Sequence, residues 1–343
     1  MKKWYQREQE AIEQDVVVST RVRLARNFSD YPFENRLGSD QKYEVIGKVA
    51  GALEYANFGE NKKLVQMDFE KMQDYERTAL VEQHLISPEF AGDPRGKGLF
   101  LSSDHSISIM VNEEDHIRIQ ILSAGMDLSN ALETANRIDD LFDGSLSYAF
   151  DEKLGFLTQC PTNLGTGLRA SVMLHLPLLE STGYLQKLAA NVAKLGLTIR
   201  GTYGEGTEAK GAYYQISNQV TLGISEESAI NNLEAIVKQI ILQERDLRRN
   251  ANGPVMEDKI MRAYGVLSCA RLMNSDEFMK LLSLIRLGVD YGYVPELSFQ
   301  LLDELALRMG AASLCVTKGG KLNDEERDAM RADTVRGIVQ KGR

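Results

Sequence analysis

The chain has 343 residues, 43% hydrophobic and 26% charged with only seven prolines, a composition that excludes a disordered or fibrous protein. Single cores stop growing near roughly 250–300 residues, so this length suits one large domain and one small one. The net charge of -9 argues against a general binder of nucleic acids or acidic membranes.

The N-terminus and the cysteines indicate the cellular compartment of the protein. Residues 1–7 are basic but no apolar stretch follows them, so we expect no secretory signal. No apolar run approaches the roughly 18 residues that a membrane span needs. Cys160, Cys269 and Cys315 are too far apart for a zinc site or a disulfide framework. We therefore expect a cytoplasmic protein without nucleic-acid or membrane partners.

The first predicted strand covers residues 16–26. Its alternation places Arg21 and Arg23 on one face and the apolar Val22 and Leu24 on the other. Short strands at 99–101, 107–111 and 117–122 follow, and their close spacing implies antiparallel pairing. In the last of them the isoleucines take the buried face, so Arg118 faces a polar surface or a site.

The rest of the first 250 residues mixes strands and helices. We predict strands at 155–158, 170–176, 197–202, 212–217 and 219–223, and helices at 40–56, 129–142 and 178–195. A long amphipathic helix after Ser225 ends before the run 250–254, which contains Gly253 and Pro254. We place the domain boundary there, between units 1–250 and 254–343.

The second unit is predicted to be wholly helical. Helices run to about residue 272, then after Ser275, after Pro295 and after Asn323, where Glu326 completes a capping-box pattern. The fold class is therefore α+β: a largely antiparallel sheet flanked by helices, plus a small all-α C-terminal domain. The apolar stripe at 281–285 leaves two uses open, packing inside the domain or a dimer contact. We expect a homodimer or a larger assembly.

Five arginines on or beside predicted strands are the candidate chemical groups. They are Arg21 and Arg23 in STRVR, Arg118 in NEEDHIR, Arg169 in CPTNLGTGLR and Arg200 in RGT. The chain has no P-loop and no eukaryotic protein-kinase motif set. A single strand arginine is usually a solvated surface residue, and a lone Gly-Thr-Gly is usually a turn.

Together these motifs resemble the guanidino kinase family, which includes creatine and arginine kinases, over residues 16–223 in the same order. The resemblance implies a guanidino kinase fold, similar to glutamine synthetase, that transfers the terminal phosphoryl group of ATP to a guanidinium. It also implies that the five arginines hold the nucleotide phosphates, a task that suits a forked, permanent cation. Mg2+ would be held mainly by ATP and water, so no metal-ligand motif is expected.

The acceptor guanidinium needs acids that orient it and take its proton, because it is not nucleophilic while protonated. By the resemblance, Glu114 and Glu205 match the two substrate-binding glutamates, and Cys160 matches a reactive cysteine in a supporting role. The residues alone favour solvated turns for both glutamates and a small buried packing residue for Cys160. By position, Leu101 and Met173 stand where relatives place histidines against the adenine.

The C-terminal unit resembles that of the bacterial protein-arginine kinases, in the stretch YGVLSCARLMNSDEFMKLLSLIRLGVDYG and in RDAMRA. Creatine and arginine kinases carry a helical domain ahead of the first arginine motif, which here begins at Ser19. An open acceptor side would admit the arginine side chains of proteins. A kinase of a free guanidino compound, and a non-catalytic phosphoarginine-binding adaptor, are the two alternatives.

The resemblance also implies regulation and partners. Arg327, Asp328 and Arg331 match a phosphoarginine-binding element, although their spacing alone favours a surface salt-bridge ladder. Expected partners are substrate proteins with accessible arginines, a zinc-containing activator, a heat-shock repressor as substrate and a Clp unfoldase-protease. Phosphoarginine would then mark proteins for degradation or inactivate the stress repressor.

Overall fold

The computed structural model describes residues 2–6, 10–54, 56, 58–59, 62–201 and 210–341. Within these residues, eight strands form one antiparallel sheet in the order β2-β3-β4-β5-β1-β8-β10-β9, and β6 and β7 form a short separate hairpin. The strands are β1 (Val17–Arg26), β2 (Leu64–Met67), β3 (Gly98–Ser102), β4 (Ile107–Val111), β5 (Ile117–Ala124), β6 (Phe150–Asp151), β7 (Gly155–Phe156), β8 (Leu168–His175), β9 (Leu197–Gly201) and β10 (Tyr213–Asn218).

Helices lie between the strands and make up the C-terminal part of the described chain. They are α1 (Ser39–Leu53), α2 (Asp74–Glu82), α3 (Pro88–Gly92), α4 (Leu128–Asp143), α5 (Pro177–Ser181), α6 (Tyr184–Lys194), α7 (Glu226–Ala251), α8 (Pro254–Cys269), α9 (Ser275–Asp290), α10 (Phe299–Arg308), α11 (Ala311–Lys318) and α12 (Asp324–Lys341). The large antiparallel sheet and its helices confirm the predicted α+β class.

The sheet has one apolar face and one polar face, as the alternation along β1 requires. Val22 and Leu24 are fully buried in the main core, where the central strands pack against α4 and α7. The side chains that alternate with them point to the opposite face. That second face carries the arginines of the site.

Two further cores complete the packing. One is formed by α8–α12 together with Leu178 of α5. Leu282 and Ile285 are fully buried in it and Leu281 and Leu284 pack against it, so the apolar stripe of α9 is used inside the unit. Leu178 joins this core and Leu247 of α7 packs against both large cores, so residues before position 250 contribute to the packing of the C-terminal helices. The division of the chain into domains 1–250 and 254–343 stays a prediction.

The third core covers an apolar part of the second face of the sheet, near the edge formed by β2 and β3. It contains Trp4, Phe69 and Phe90, and it includes Leu307 of α10. Leu101 also lies in this core, 3% exposed. Glu82 of α2 also hydrogen-bonds to α11, so α2 lies beside the C-terminal helices.

Two predictions about local structure were wrong. Residues 219–223 form no strand, because the Thr221 hydroxyl donates to the Thr162 and Leu164 carbonyls and its own carbonyl accepts from the Thr166 N–H. Residues 219–223 therefore hold the glycine-rich loop at 162–167 in place through Thr221. The predicted helix 178–195 is two helices, α5 and α6, separated at Gly183, whose φ of 69° is left-handed.

The capping box of α12 is present as predicted. Asn323 Oδ1 accepts from the Glu326 N–H at 2.9 Å, and Glu326 Oε2 accepts from the Asn323 N–H at 2.8 Å.

Candidate active site

A cavity of about 670 Å³ opens on the polar face of the sheet. Five arginines on strands of this sheet line it: Arg21, Arg23, Arg118, Arg169 and Arg200. Strand register explains their convergence: Arg23 of β1 lies opposite Arg169 of β8, and Ala25 lies opposite Arg118 of β5. Three adjacent strands therefore aim cations into one space, which has the size of a small-molecule site.

The charge in this cavity is costly to the ligand-free protein. Burial, and then the charges of Arg118 and Arg169, lower the pKa of Arg21 from 12.5 to about 10. Burial and the neighbouring arginines also hold the pKa of Arg23 well below its ordinary value. Arg21 donates to Gln215 Oε1 at 2.9 Å, whereas the buried Nε of Arg23 has no hydrogen-bond partner among the described residues. A polyanion would relieve this repulsion.

Two acids at the β4–β5 turn face the cations. Arg118 Nη1 lies 2.7 Å from Glu113 Oε2, and its Nη2 lies 3.1 Å from Glu114 Oε2. The Glu113 side chain is 6% exposed and that of Glu114 is 38% exposed. Burial raises the pKa of Glu113, but Arg118 and hydrogen bonds from Ser87 and the Glu114 N–H outweigh it, so the net shift is downward. Glu113 thus fixes Arg118, and Glu114 is the acid that a ligand can reach.

The sequence analysis missed Glu113, although it stands next to Glu114 in NEED. The other predicted acid, Glu205, lies outside the described residues, so its position relative to Glu114 stays a prediction. Asp115, in the same turn, is held by two hydrogen bonds: its Oδ1 accepts from Asn27 Nδ2 at 2.6 Å and from the Gln159 N–H at 2.8 Å. The same carboxylate thereby ties the Glu114 turn to the segment that leads into Cys160.

Cys160 lines the cavity, and its Sγ lies 3.0 Å from Thr162 Oγ1. The loop that follows returns to β8 at Gly167, whose φ is 64°. A Cβ at this position would lie 2.6 Å from the Ala25 carbonyl oxygen, so glycine is required both for conformation and for space. This close approach sets Arg169 at the start of β8 beside Arg23.

A segment that the sequence analysis did not single out forms one rim of the cavity. It runs from the link after α2 into the first turn of α3, and His84, Ile86, Ser87, Pro88 and Glu89 line the cavity. Ser87 Oγ donates to Glu113 Oε1 at 2.6 Å. Burial, and then the charge of Arg21, lower the pKa of His84 to about 4, so its imidazole is neutral near pH 7. No sequence pattern signalled this rim, because its contacts are distant in the chain.

A smaller cavity of about 70 Å³ adjoins the first and shares Arg21, His84 and Gln215 with it. Ser19 and Met173 line it from the sheet, and Trp4 and helices α9 and α10 close it. Leu101 is buried in the third core and lines neither of these two cavities among the described residues, so its expected place against a base stays a prediction. Met173 stays a candidate for a base contact.

The C-terminal trio is divided between surface and interior. Arg327 forms an ion pair with Asp324 and is partly exposed. Arg331 is 1% exposed, and it donates to the carbonyls of Met309 at 2.8 Å and Met273 at 2.6 Å, and to Asp328 at 2.8 Å. Arg331 therefore has a structural role whatever else it binds.

Over the described ranges, the protein has no group of three or more His, Cys, Asp or Glu side chains able to hold a metal ion. None of the described helices has the length and apolar character that a membrane crossing demands.

Comparisons with known proteins agree with this geometry. Residues 44–247 match the family model of the ATP:guanido phosphotransferase C-terminal catalytic domain, and residues 254–342 match that of the protein-arginine kinase McsB C-terminal domain. The chain is 45% identical over 331 residues to a protein-arginine kinase of Geobacillus thermodenitrificans, covering 96% of this chain and 91% of that one. It is 46% identical over 330 residues to one of Desulforamulus reducens, covering 94% and 92%.

Solved structures give the same picture of the fold. A lombricine kinase crystal structure matches with a TM-score of 0.61 at 26% identity, covering 70% of this chain and 69% of that one. The duplicated taurocyamine kinase from Schistosoma mansoni, with bound transition-state analogue components, matches with a TM-score of 0.62 at 27% identity, covering 78% and 40%.

Proposed function

The chain belongs to the ATP:guanido phosphotransferase family and transfers the phosphoryl group of ATP to arginine side chains of proteins, and we propose that the arginine-lined cavity is where this transfer takes place. The observation that carries the proposal is the clustering of Arg21, Arg23, Arg118 and Arg169 at one cavity with Glu114. Phosphoryl transfer needs cations on the donor and a positioned acceptor, and this cavity offers both.

On the donor side, the strand arginines receive the phosphates of ATP. Their guanidinium groups lie on three adjacent strands and are preorganised, so little rearrangement is needed as charge shifts from the γ-phosphoryl group to ADP. Burial, and then the charges of neighbouring arginines, lower the pKa values of Arg21 and Arg23, and a bound anion removes the second of these causes. Arg200, at the end of β9 opposite Gln215, extends the cationic lining.

On the acceptor side, Glu114 accepts hydrogen bonds from the substrate guanidinium and takes its proton. A nitrogen of the resulting neutral guanidine then attacks the γ-phosphorus, the bond from phosphorus to the ADP oxygen breaks, and ADP and phosphoarginine leave. Arg118 contacts Glu114 at 3.1 Å, so donor and acceptor groups meet at neighbouring side chains. Glu205 acts as the second acid and Cys160 as a supporting group, on the strength of the family motifs.

Mg2+ is proposed as the companion of ATP. Magnesium prefers oxygen ligands and keeps several waters. Among the described residues, the carboxylates that line the cavity are those of Glu89 and Glu114. This donor set fits an ion held mainly by the nucleotide and water, with no cage of protein ligands. When bound, the ion neutralises charge on the β- and γ-phosphoryl oxygens.

The smaller cavity is proposed as the site of the nucleotide base. It adjoins the cationic cavity through Arg21, and its lining includes Met173 and Trp4, which offer apolar contact to an aromatic ring. The base would therefore lie between the sheet and the C-terminal helices.

The C-terminal trio is proposed to bind phosphoarginine, with unequal roles. Arg327 is the accessible cation, held by an exchangeable ion pair to Asp324. Asp328 accepts from the modified guanidinium, and the buried Arg331 fixes Asp328 in place. A product that bound here would act on the enzyme only through different affinities for two states.

Cellular roles follow from family resemblance alone. We propose a cytoplasmic enzyme whose product marks proteins for a Clp unfoldase-protease or inactivates a heat-shock repressor. A zinc-containing activator and assembly into a homodimer or larger species belong to the same proposal.

The test incubates the purified protein with ATP and Mg2+ and either free arginine or an unfolded basic protein. Mass spectrometry under conditions that preserve the phosphorus–nitrogen bond is expected to find phosphoarginine in the protein and none in the free amino acid. Transfer to free arginine alone would reject protein as the acceptor.

A further inference from the structure

The C-terminal helices contact the active-site rim through one carboxylate. Glu82 is the last residue of α2, and its side chain reaches the first turn of α11. Glu82 Oε1 accepts from the Ala312 N–H at 2.9 Å, and Oε2 accepts from the Ser313 N–H at 2.8 Å and from Ser313 Oγ at 2.7 Å. A carboxylate at a helix N-terminus is favoured both by these donors and by the helix dipole.

The other side of this contact is built to receive the carboxylate. A Cβ on Gly310 would overlap the carboxylate group of Glu82, although the φ of -63° at Gly310 suits any residue. A larger residue here would therefore displace the Glu82 carboxylate without straining the backbone. Immediately before it, the Met309 carbonyl accepts from Arg331 Nε, so the buried arginine of α12 fixes the segment that Glu82 approaches.

From Glu82 the chain turns directly into the cavity rim. His84 has a φ of 60°, and its carbonyl accepts from Gln120 Nε2 at 2.9 Å. The next carbonyl, that of Leu85, accepts from the same amide at 3.0 Å and from Ser108 Oγ at 2.8 Å. These bonds lay the rim against the polar face of the sheet.

The rim then contacts the catalytic acids. Ser87 donates to Glu113, and Glu113 holds Arg118, whose other nitrogen reaches Glu114. The position of Arg118 and Glu114 thus depends on where the rim lies. Two anchors set that position: the sheet on one side and the Glu82 contact on the other.

We propose that Glu82 is a positioning residue that anchors the active-site rim, residues 84–89, to α11 of the C-terminal helices. The inference rests on the proposed function of the cavity. It assigns to the C-terminal helices a part in aligning the donor and acceptor ends of the transfer. Glu82 does this without touching the reacting atoms.

Loss of the Glu82 contact should lower kcat. Arg21, Arg23 and Arg169 stand on the sheet outside the chain of contacts from Ser87 to Arg118. They keep their places without Glu82, so the KM for ATP should stay within about threefold. Misplacement of Arg118 and Glu114 by a fraction of an ångström to an ångström should lower kcat about tenfold to a hundredfold.

The experiment compares Glu82→Ala, Glu82→Gln and Glu82→Asp with the parent, using ATP and an unfolded protein substrate. We expect the largest kcat loss for alanine, a smaller one for glutamine and partial recovery for aspartate, which keeps the charge. The matched control is Glu76→Gln on the same helix, because Glu76 accepts a backbone N–H within its own helix, from Gln73 at 2.7 Å. Its kcat should equal that of the parent.

A second variant approaches the contact from the other side. Gly310→Ala leaves α2 unchanged but forces the carboxylate off its three donors, so its kcat should fall as in Glu82→Ala. In the double variant, Glu82→Ala with Gly310→Ala, the carboxylate that the added methyl group would displace is absent. The two kcat losses should therefore not multiply. Amide hydrogen exchange should speed up at residues 84–89 in both single variants.

Equal kcat in Glu82→Ala and the parent, or kcat losses that multiply in the double variant, would reject the inference. If Glu82→Ala fails to fold, Gly310→Ala and Glu82→Gln carry the same test. The parent is measured in the same assay: a parent without transfer to protein contradicts the proposed function, whereas an active parent with unaffected variants contradicts only this inference.

Discussion

Replacing Arg21 by methionine should stabilise the nucleotide-free protein and weaken nucleotide binding at the same time. Arg21 is held among like charges, with Arg118 and Arg169 as the neighbours that depress its pKa after burial. Methionine keeps most of the length of the side chain and removes the charge. The two effects have opposite signs because the charge serves the ligand and not the fold.

The size of the first effect follows from the pKa. Its fall from 12.5 to about 10 corresponds to roughly 3 kcal/mol held against the charged form. This penalty is fully present at pH 7, because the lowered pKa still lies above that pH. Loss of the hydrogen bond to Gln215 costs about 1 kcal/mol. The net gain in the free energy of unfolding is then roughly 1–2 kcal/mol, and the Tm rises by about 3 °C.

Thermal and urea unfolding with and without ADP and Mg2+ measure both effects. Nucleotide at a hundred times its Kd should stabilise the parent by about 2.7 kcal/mol and the variant far less. Arg95→Met is the control, since Arg95 is 83% exposed and pairs with Asp93 outside the cavity. A ligand-free Arg21→Met protein less stable than the parent would refute the argument from repulsion.

Three further predictions concern single side chains. Glu114→Gln should lower kcat about 10²- to 10⁴-fold with little change in the KM for ATP, and a kcat near that of the parent would remove Glu114 from the chemistry. Cys160→Ala should lower kcat by less than about tenfold in the same assay, and a loss equal to that of Glu114→Gln would contradict a supporting role. The pKa of His84 is lowered from 6.5 to about 4, so the folded state binds fewer protons than the unfolded one between these values. Stability present above pH 6.5 should fall by roughly 2–3 kcal/mol as the pH drops to 4, and urea titrations of His84→Gln should show a shallower fall.

Local patterns were enough to predict most strands of the sheet and the order of the long helices. The alternation in β1 and β5 fixes which side chains face each other, because side-chain direction in a strand depends only on sequence parity. The short helices α2, α3 and α11 were missed. They are held by contacts between distant segments, such as Glu82 with α11, that no local periodicity reports.

The same distinction applies to the site. Strand parity placed Arg21 and Arg23 on one face and turned Arg118 to a polar surface, and the family resemblance added Arg169. The cavity brings the four together. The rim at 84–89 could not be placed, since its position depends on Gln120, on Glu113 and on the C-terminal helices.

The active site combines rigid arginines on the strands with acids on a turn that can adjust. Cations on the central strands of a sheet cannot retreat from one another, so the repulsion among them persists until an anion arrives, and binding energy is gained without rearrangement. The acids stand on a turn, where Glu114 is partly exposed and is fixed only through Arg118, Glu113 and the rim. Glu114 can therefore adjust its position to an arginine on a protein substrate. The strand arginines that bind ATP are held more rigidly. It follows that substitutions on the sheet should change nucleotide affinity, whereas substitutions at the rim should change turnover.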